Sequence, residues 1–231
     1  LRWHSIRTAE KEAKSKTGTA ATPSATYRAL LLRVSIIVFL TTAVSSLIFQ
    51  ATTFALPKIF LERLEGLAVD LATWFADAAQ SGQGDIASVI GTLAFIVFAV
   101  GSIAQLIVGS MLDKYGPRRV FMAVAIIQIV FFATMPGLTD MVALAVALGF
   151  MLGAFGQIPI NDYMIGKTAS GAYRARIYGI RYVVGFTVLA ASLPLIAFVY
   201  KNWGFDTLFY ILATAAVVIL AVVTALPKEL P

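Results

Sequence analysis

Asp162 is the one acid inside the four long apolar segments that close the chain, about 119–135, 141–163, 178–199 and 207–226. A carboxylate in hydrocarbon is costly, and one retained there either relays protons or pairs with a cation. It lies near the end of its segment, within reach of Arg174, Arg176 or Arg181. A structural or gating ion pair is therefore the favoured role, with a proton-coupling carboxylate as the alternative. Two polar stripes accompany it. Thr42, Ser46, Gln50 and Thr53 recur at steps of four, four and three, and Gly153, Gln157 and Asn161 at steps of four, so each set shares one helix face. Such stripes turn toward protein or water rather than lipid. For the hydroxyls, bonding to their own backbone or close packing is the competing role. Gln157 and Asn161 read equally as functional or structural, and Pro159 between them is placed to kink the helix and present backbone carbonyls.

Other chemistries lack their residues. The sequence contains no cysteine and one histidine, His4, which lies in a polar leader. No thiolate nucleophile, disulfide framework or cysteine-ligated metal is available, and nucleophile, base and metal ligands do not cluster at one depth, so no enzyme, cofactor or metal site is expected. Gly149, Gly153 and Gly156 follow no strand, which favours close helix contact over phosphate binding. Gln105 and Gln128, single polar residues in apolar surroundings, suit packing or interhelical hydrogen bonds.

The elements that must position these residues belong in lipid. The 231 residues are 59% hydrophobic and 13% charged, against about 45–50% and about 25% in soluble domains, and the mean hydropathy is +0.86. Six apolar segments are long enough to cross a bilayer as helices, the two earlier ones at about 29–55 and 86–111. The formal charge of +6 does not point to nucleic acid, because the basic residues sit between apolar runs. On alternating loops, fifteen of the 18 Lys and Arg fall on one side, leaving Lys58, Arg63 and Lys201 on the other. Basic loops stay in the cytoplasm, so both termini are expected there.

Residues 1–27 read as a flexible cytoplasmic leader or central loop, polar and basic with nothing to bury. In the long outer connection, about 58–80, Phe60, Leu61, Leu64, Leu67, Leu71, Trp74 and Phe75 recur at helical spacing among acids. An amphipathic helix is expected there, extending the first span or lying on the outer surface. The stretch 81–85 turns the chain into the next span.

Between the second and third spans the chain reads Gly109-Ser110-Met111-Leu112-Asp113-Lys114-Tyr115-Gly116-Pro117-Arg118-Arg119. This resembles, at every fixed position, the signature loop of the major facilitator superfamily, Gly-x-x-x-Asp-(Arg/Lys)-x-Gly-x-Arg-Arg. Tyr173-Arg174-Ala175-Arg176-Ile177-Tyr178-Gly179 is similar to the family's basic segment entering the fifth helix of a half. Gly109 suits close helix approach, Gly116 and Pro117 a tight reversal, and Asp113 pairing with Arg or with a helix N-terminus.

The resemblance implies an all-α membrane protein whose six transmembrane helices, 28–231, form one half-bundle. The polar leader and the absent initial Met favour the C-terminal half. It implies secondary active transport of a small solute by alternating access, as symporter or antiporter, with the other six-helix half, the bilayer and possible protons as partners. Location would be the plasma or bacterial inner membrane. Gly109, Asp113, Lys114, Gly116, Arg118 and Arg119 would form a conformational latch. The family's first and fourth helices line the cavity, which makes Thr42, Ser46, Gln50, Gln157, Asn161 and Asp162 the cavity or coupling candidates. Few buried charges favour neutral, amphipathic or weakly charged solutes over polyanions. A non-transporting sensor or assembly subunit on the same scaffold is the alternative.

Overall fold

The computed structural model describes residues 25–79, 85–168 and 174–226, with the side chains of 25–34, 78, 79, 168 and 174 outside that description. Most of the 1–27 leader, with His4, and the turn at 81–84 therefore lie outside the described residues. Every described element is helical: α1 (Ala25–Arg63), α2 (Glu65–Ala79), α3 (Ile86–Tyr115), α4 (Pro117–Thr134), α5 (Asp140–Thr168) and α6 (Arg174–Thr224). All but α2 carry stretches long and apolar enough to cross a membrane, the last being the 50 residues Ala175–Thr224.

Fifty residues of helix would run about 75 Å, more than twice a hydrocarbon core of about 30 Å. Gly204 resolves the mismatch. Its φ of 76° breaks α6 into a first limb, 174–203, and a second, 205–224, in a backbone region that glycine enters without a Cβ penalty. Contacts at the two ends show that the chain reverses there. Arg181 pairs with Asp162 near the end of α5, and Arg118 at the start of α4 donates to the Thr224 carbonyl (2.8 Å). Asp206 instead meets Arg63 at the end of α1 and the Gly137 N–H in the α4–α5 turn. The five apolar stretches therefore form six helical rods among the described residues, the number of apolar segments expected.

Boundaries differ most around Pro57. The first span does not stop near 55: α1 passes through Pro57 and continues to Arg63. Leu64 interrupts the helix, yet its N–H reaches Phe60 O (2.9 Å) and the Ala68 N–H reaches Leu64 O (2.8 Å), so α2 follows as a bent continuation. The apolar face expected of this region is buried in part: Phe60 and Leu64 are fully buried and Leu67 and Leu71 pack against the core, whereas Leu61, Trp74 and Phe75 are exposed, and Ala68, Ala72 and Ala76 continue the buried stripe from Leu64. Alanines let α2 lie close to its neighbours, which larger side chains would prevent. Asp140, at the head of α5, fixes its start by accepting from Leu67 N–H (2.9 Å). Across the turn, Asp85 caps α3 by accepting from Ala87 N–H (3.0 Å), and its bond from the Ser88 hydroxyl holds its carboxyl below the usual range.

Packing centres on α5, whose glycines admit partners. A methyl at Gly149 would enter the ring of Phe131, one at Gly153 would lie 2.6 Å from Gln128 Cγ, and one at Gly156 3.0 Å from Val108. Close helix contact is thus what these three glycines provide. Phe132, Phe150 and Phe209, all fully buried, bind α4, α5 and the second limb, with ring centroids 5.2 and 5.7 Å apart. On α3, by contrast, Phe95, Ile103 and Leu106 face outward, an apolar exterior suited to lipid or to a further apolar partner.

Candidate functional site

Arg181 carries the site's charge. It stands about two turns into the first limb, where its guanidinium meets Asp162 on α5; the arginine side chain is 19% exposed and the aspartate 46%. Desolvating an unpaired cation at membrane depth is expensive, so both the partner and a route to water are required. The route is a cavity of about 210 Å³ between α1 and the first limb. Thr42, Ser46 and Gln50 line its α1 wall, and Arg181, Tyr182 and Phe186 its other wall, with Gly185 leaving the floor open. Three residues of the α1 stripe are thus brought together with one of the arginines considered as an ion-pair partner.

The α1 hydroxyls do not all behave alike. Thr41 bonds back to Ile37 O (2.9 Å) and Thr52 to Ile48 O (2.8 Å), the local satisfaction usual for threonine in a helix. Thr42, equally buried, has no partner for its Oγ1 among the described residues, and the same holds for Ser45 and Thr53. The stripe on α5 is directed elsewhere. Gln157 is fully buried and donates to Gln128 on α4 rather than lining the cavity, because Gly153, one turn earlier, has no side chain to keep Gln128 out. That bond leaves Gln128 Nε2 and Gln157 Oε1 without partners among the described residues, and Asn161 Oδ1, a turn further on, is also unpaired. Of the remaining arginines, Arg176 is exposed and the side chain of Arg174 lies outside the described residues.

At the end of the bundle shared by Arg181, the signature loop folds as helix, one-residue turn, helix. Gly116 turns with φ 77° while its N–H closes α3 on Leu112 O (3.0 Å), and Pro117 opens α4 at a position that needs no donor. Arg118 reaches across to the last carbonyls of α6, where a cation meets the negative end of a helix dipole. Asp113, Lys114 and Arg119 are exposed, Lys114 lying over the Tyr115 ring (5.2 Å). The close approach expected at Gly109 is not made within the described residues: a Cβ there would meet open space.

Sequence reasoning missed two groups. Tyr182 and Phe186, stacked with ring centroids 6.4 Å apart, form the aromatic wall of the cavity; their four-residue spacing beside Arg181 was the available signal. The opposite end of the bundle is tied by Arg63–Asp206, by Tyr200 to Glu62, and by Lys58 to Glu62 (3.7 Å). Two of the three basic residues on that side are thereby used. A family model described as Major Facilitator Superfamily matches residues 38–231. No curated protein matches the chain.

Proposed function

This chain belongs to the major facilitator superfamily, and from that premise we propose that it is one six-helix half of a secondary transporter moving a small solute by alternating access. Membership makes it a multi-pass membrane protein of a transporter family. The proposal adds that the half rocks against a second half around the cavity of Thr42, Ser46, Gln50 and Arg181, with both termini in the cytoplasm of a plasma or bacterial inner membrane. Gly109, Asp113, Lys114, Gly116, Arg118 and Arg119 act as its cytoplasmic latch.

The observation that carries the reading is the family match over 38–231. Two features support the finer parts. The exposed Asp113 and Arg119 stand beside a Gly116 turn, open to a partner surface, and Gly109 leaves the helix surface next to them bare. A latch needs free charge beside a surface that a partner helix can approach, and the exposed charges next to the bare Gly109 support that reading. The fifteen-to-three loop bias in Lys and Arg supports a cytoplasmic position for that end. Solute flux into proteoliposomes made with the complete gene product tests the reading, with this 231-residue segment as control. Flux by the complete protein alone is the expected result. Flux by neither, across a broad metabolite and drug panel, would count against transport.

A further inference from the structure

The cavity between α1 and the first limb has a charge pattern that selects among solutes. Its one charged lining residue is Arg181, whose guanidinium has five N–H donors. Among the described residues, Asp162 is the acceptor for one of them. Thr42, a residue 2% exposed that lines the cavity, adds a hydroxyl without a partner among the described residues, although Thr41 and Thr52 on the same helix satisfy theirs locally. Ser46 and Gln50 extend the donor set along one face. Opposite, the stacked pair Tyr182 and Phe186 offers a flat apolar surface.

Resting on the transport reading above, we infer that this cavity takes a small organic monocarboxylate with a planar apolar body, its carboxylate replacing Asp162 on Arg181. A planar guanidinium matches a carboxylate with two parallel bonds, and a low-dielectric site strengthens them. A cationic solute meets repulsion from Arg181. A dianion brings a second charge for which the lining holds no cation, and an uncompensated charge away from water is expensive. An apolar neutral solute leaves these donors unpaired, and a neutral amide offers Arg181 only an uncharged acceptor, the weaker bond. The volume of about 210 Å³ falls below the range of about 300–1,000 Å³ of drug-sized sites. Asp162 is the placeholder: it keeps Arg181 neutralised while the cavity is empty and, being the more exposed partner, can swing away when the solute arrives.

Calorimetric titration of the complete protein in detergent with benzoate, benzamide and benzylamine tests this. Benzoate is expected to bind, and the other two at least about tenfold more weakly, the worth of one charge-assisted hydrogen bond. Asp162→Asn, which removes the competing carboxylate, is expected to tighten benzoate by about tenfold for the same reason. Because Arg181→Gln alone strands a half-buried acid, the decisive variant is Asp162→Asn with Arg181→Gln, a neutral amide pair, which should lose the preference for benzoate over benzamide. Equal binding of benzoate and benzamide, or a preference surviving in the double variant, overturns the inference. Flux of a wide solute panel is read in parallel. A protein that moves neutral or cationic solutes and ignores benzoate keeps the transport reading and loses the anion; one that binds benzoate through Arg181 and moves nothing keeps the site and loses transport.

Discussion

Gly153→Ala places a methyl 2.6 Å from Gln128 Cγ, well inside van der Waals contact. Gln128 cannot yield cheaply, because its amide is the acceptor for Gln157 in a fully buried pair. If the helices part instead, the overpacking costs about 1–3 kcal/mol. If Gln128 swings, an interhelical amide bond worth about 0.6 kcal/mol in membranes is lost and further buried polar atoms go unpaired. Either route lies at or above about 1 kcal/mol. Alanine also gains up to about 1 kcal/mol of helix propensity over glycine, which would hide the effect. Gly91→Ala cancels that gain, since Gly91 sits within α3 and a Cβ there meets nothing within 4 Å. The difference between the two variants, read by unfolding in mild detergent with a graded denaturant, is expected to be about 1–3 kcal/mol against Gly153→Ala. Equal stability of the two would refute the claim that Gly153 exists to admit Gln128.

Asp113→Asn should leave the fold intact, as the side chain is exposed, while slowing solute flux through an altered balance of inward and outward states; full flux would remove Asp113 from the latch. Arg63→Gln and Asp206→Asn should each weaken the outer end, and a double-mutant cycle on unfolding should return a coupling of about 0.5–1 kcal/mol, no larger because Asp206 is substantially exposed. Ser88→Ala should raise the Asp85 carboxyl back toward its ordinary range, seen by carbonyl NMR titration, since the Ser88 hydroxyl is the largest cause of its lowering. The sign follows: Asp85's folded value is depressed, so its cap contributes above the unfolded carboxylate value and is lost as pH falls through the folded one.

The spans were legible because lipid demands long apolar runs, and the reversal at Gly204 falls between the fifth and sixth of them. The signature loop was legible because a one-residue turn leaves little choice beyond Gly116 followed by Pro117. What escaped was which face of each helix meets which neighbour. The polar spacing on α5 reads identically whether Gln157 lines a cavity or bonds to another helix; Gly153 decides it, through a steric relation to Gln128 that no local pattern encodes. The outer helix shows the same limit. Leu64, Leu67 and Leu71 do turn inward, yet Trp74 and Phe75 face outward and Ala68, Ala72 and Ala76 carry the rest of the buried stripe, a division that the spacing of the large residues does not encode.

The two ends of the bundle are tied differently, and the difference bears on how a half could move. At one end Asp206 joins the second limb to α1 and to the α4–α5 turn, Asp140 joins α5 to α2, and Tyr200 joins the first limb to Glu62. At the end that carries the signature loop Arg118 holds the second limb and Asp162 holds the first. Only the last of these ties reaches into the cavity, because Arg181 is at once the partner of Asp162 and a wall of the space beside Thr42. On the transport reading proposed above, a solute that takes Arg181 releases Asp162, and with it the described ion pair between the first limb and α5 at the end that carries the signature loop. Removing that pair with Asp162→Asn, which keeps Arg181 in the cavity, should therefore change the rate of flux while solute binding is retained. Unchanged flux in this variant would show that the pair between the first limb and α5 does not gate transport.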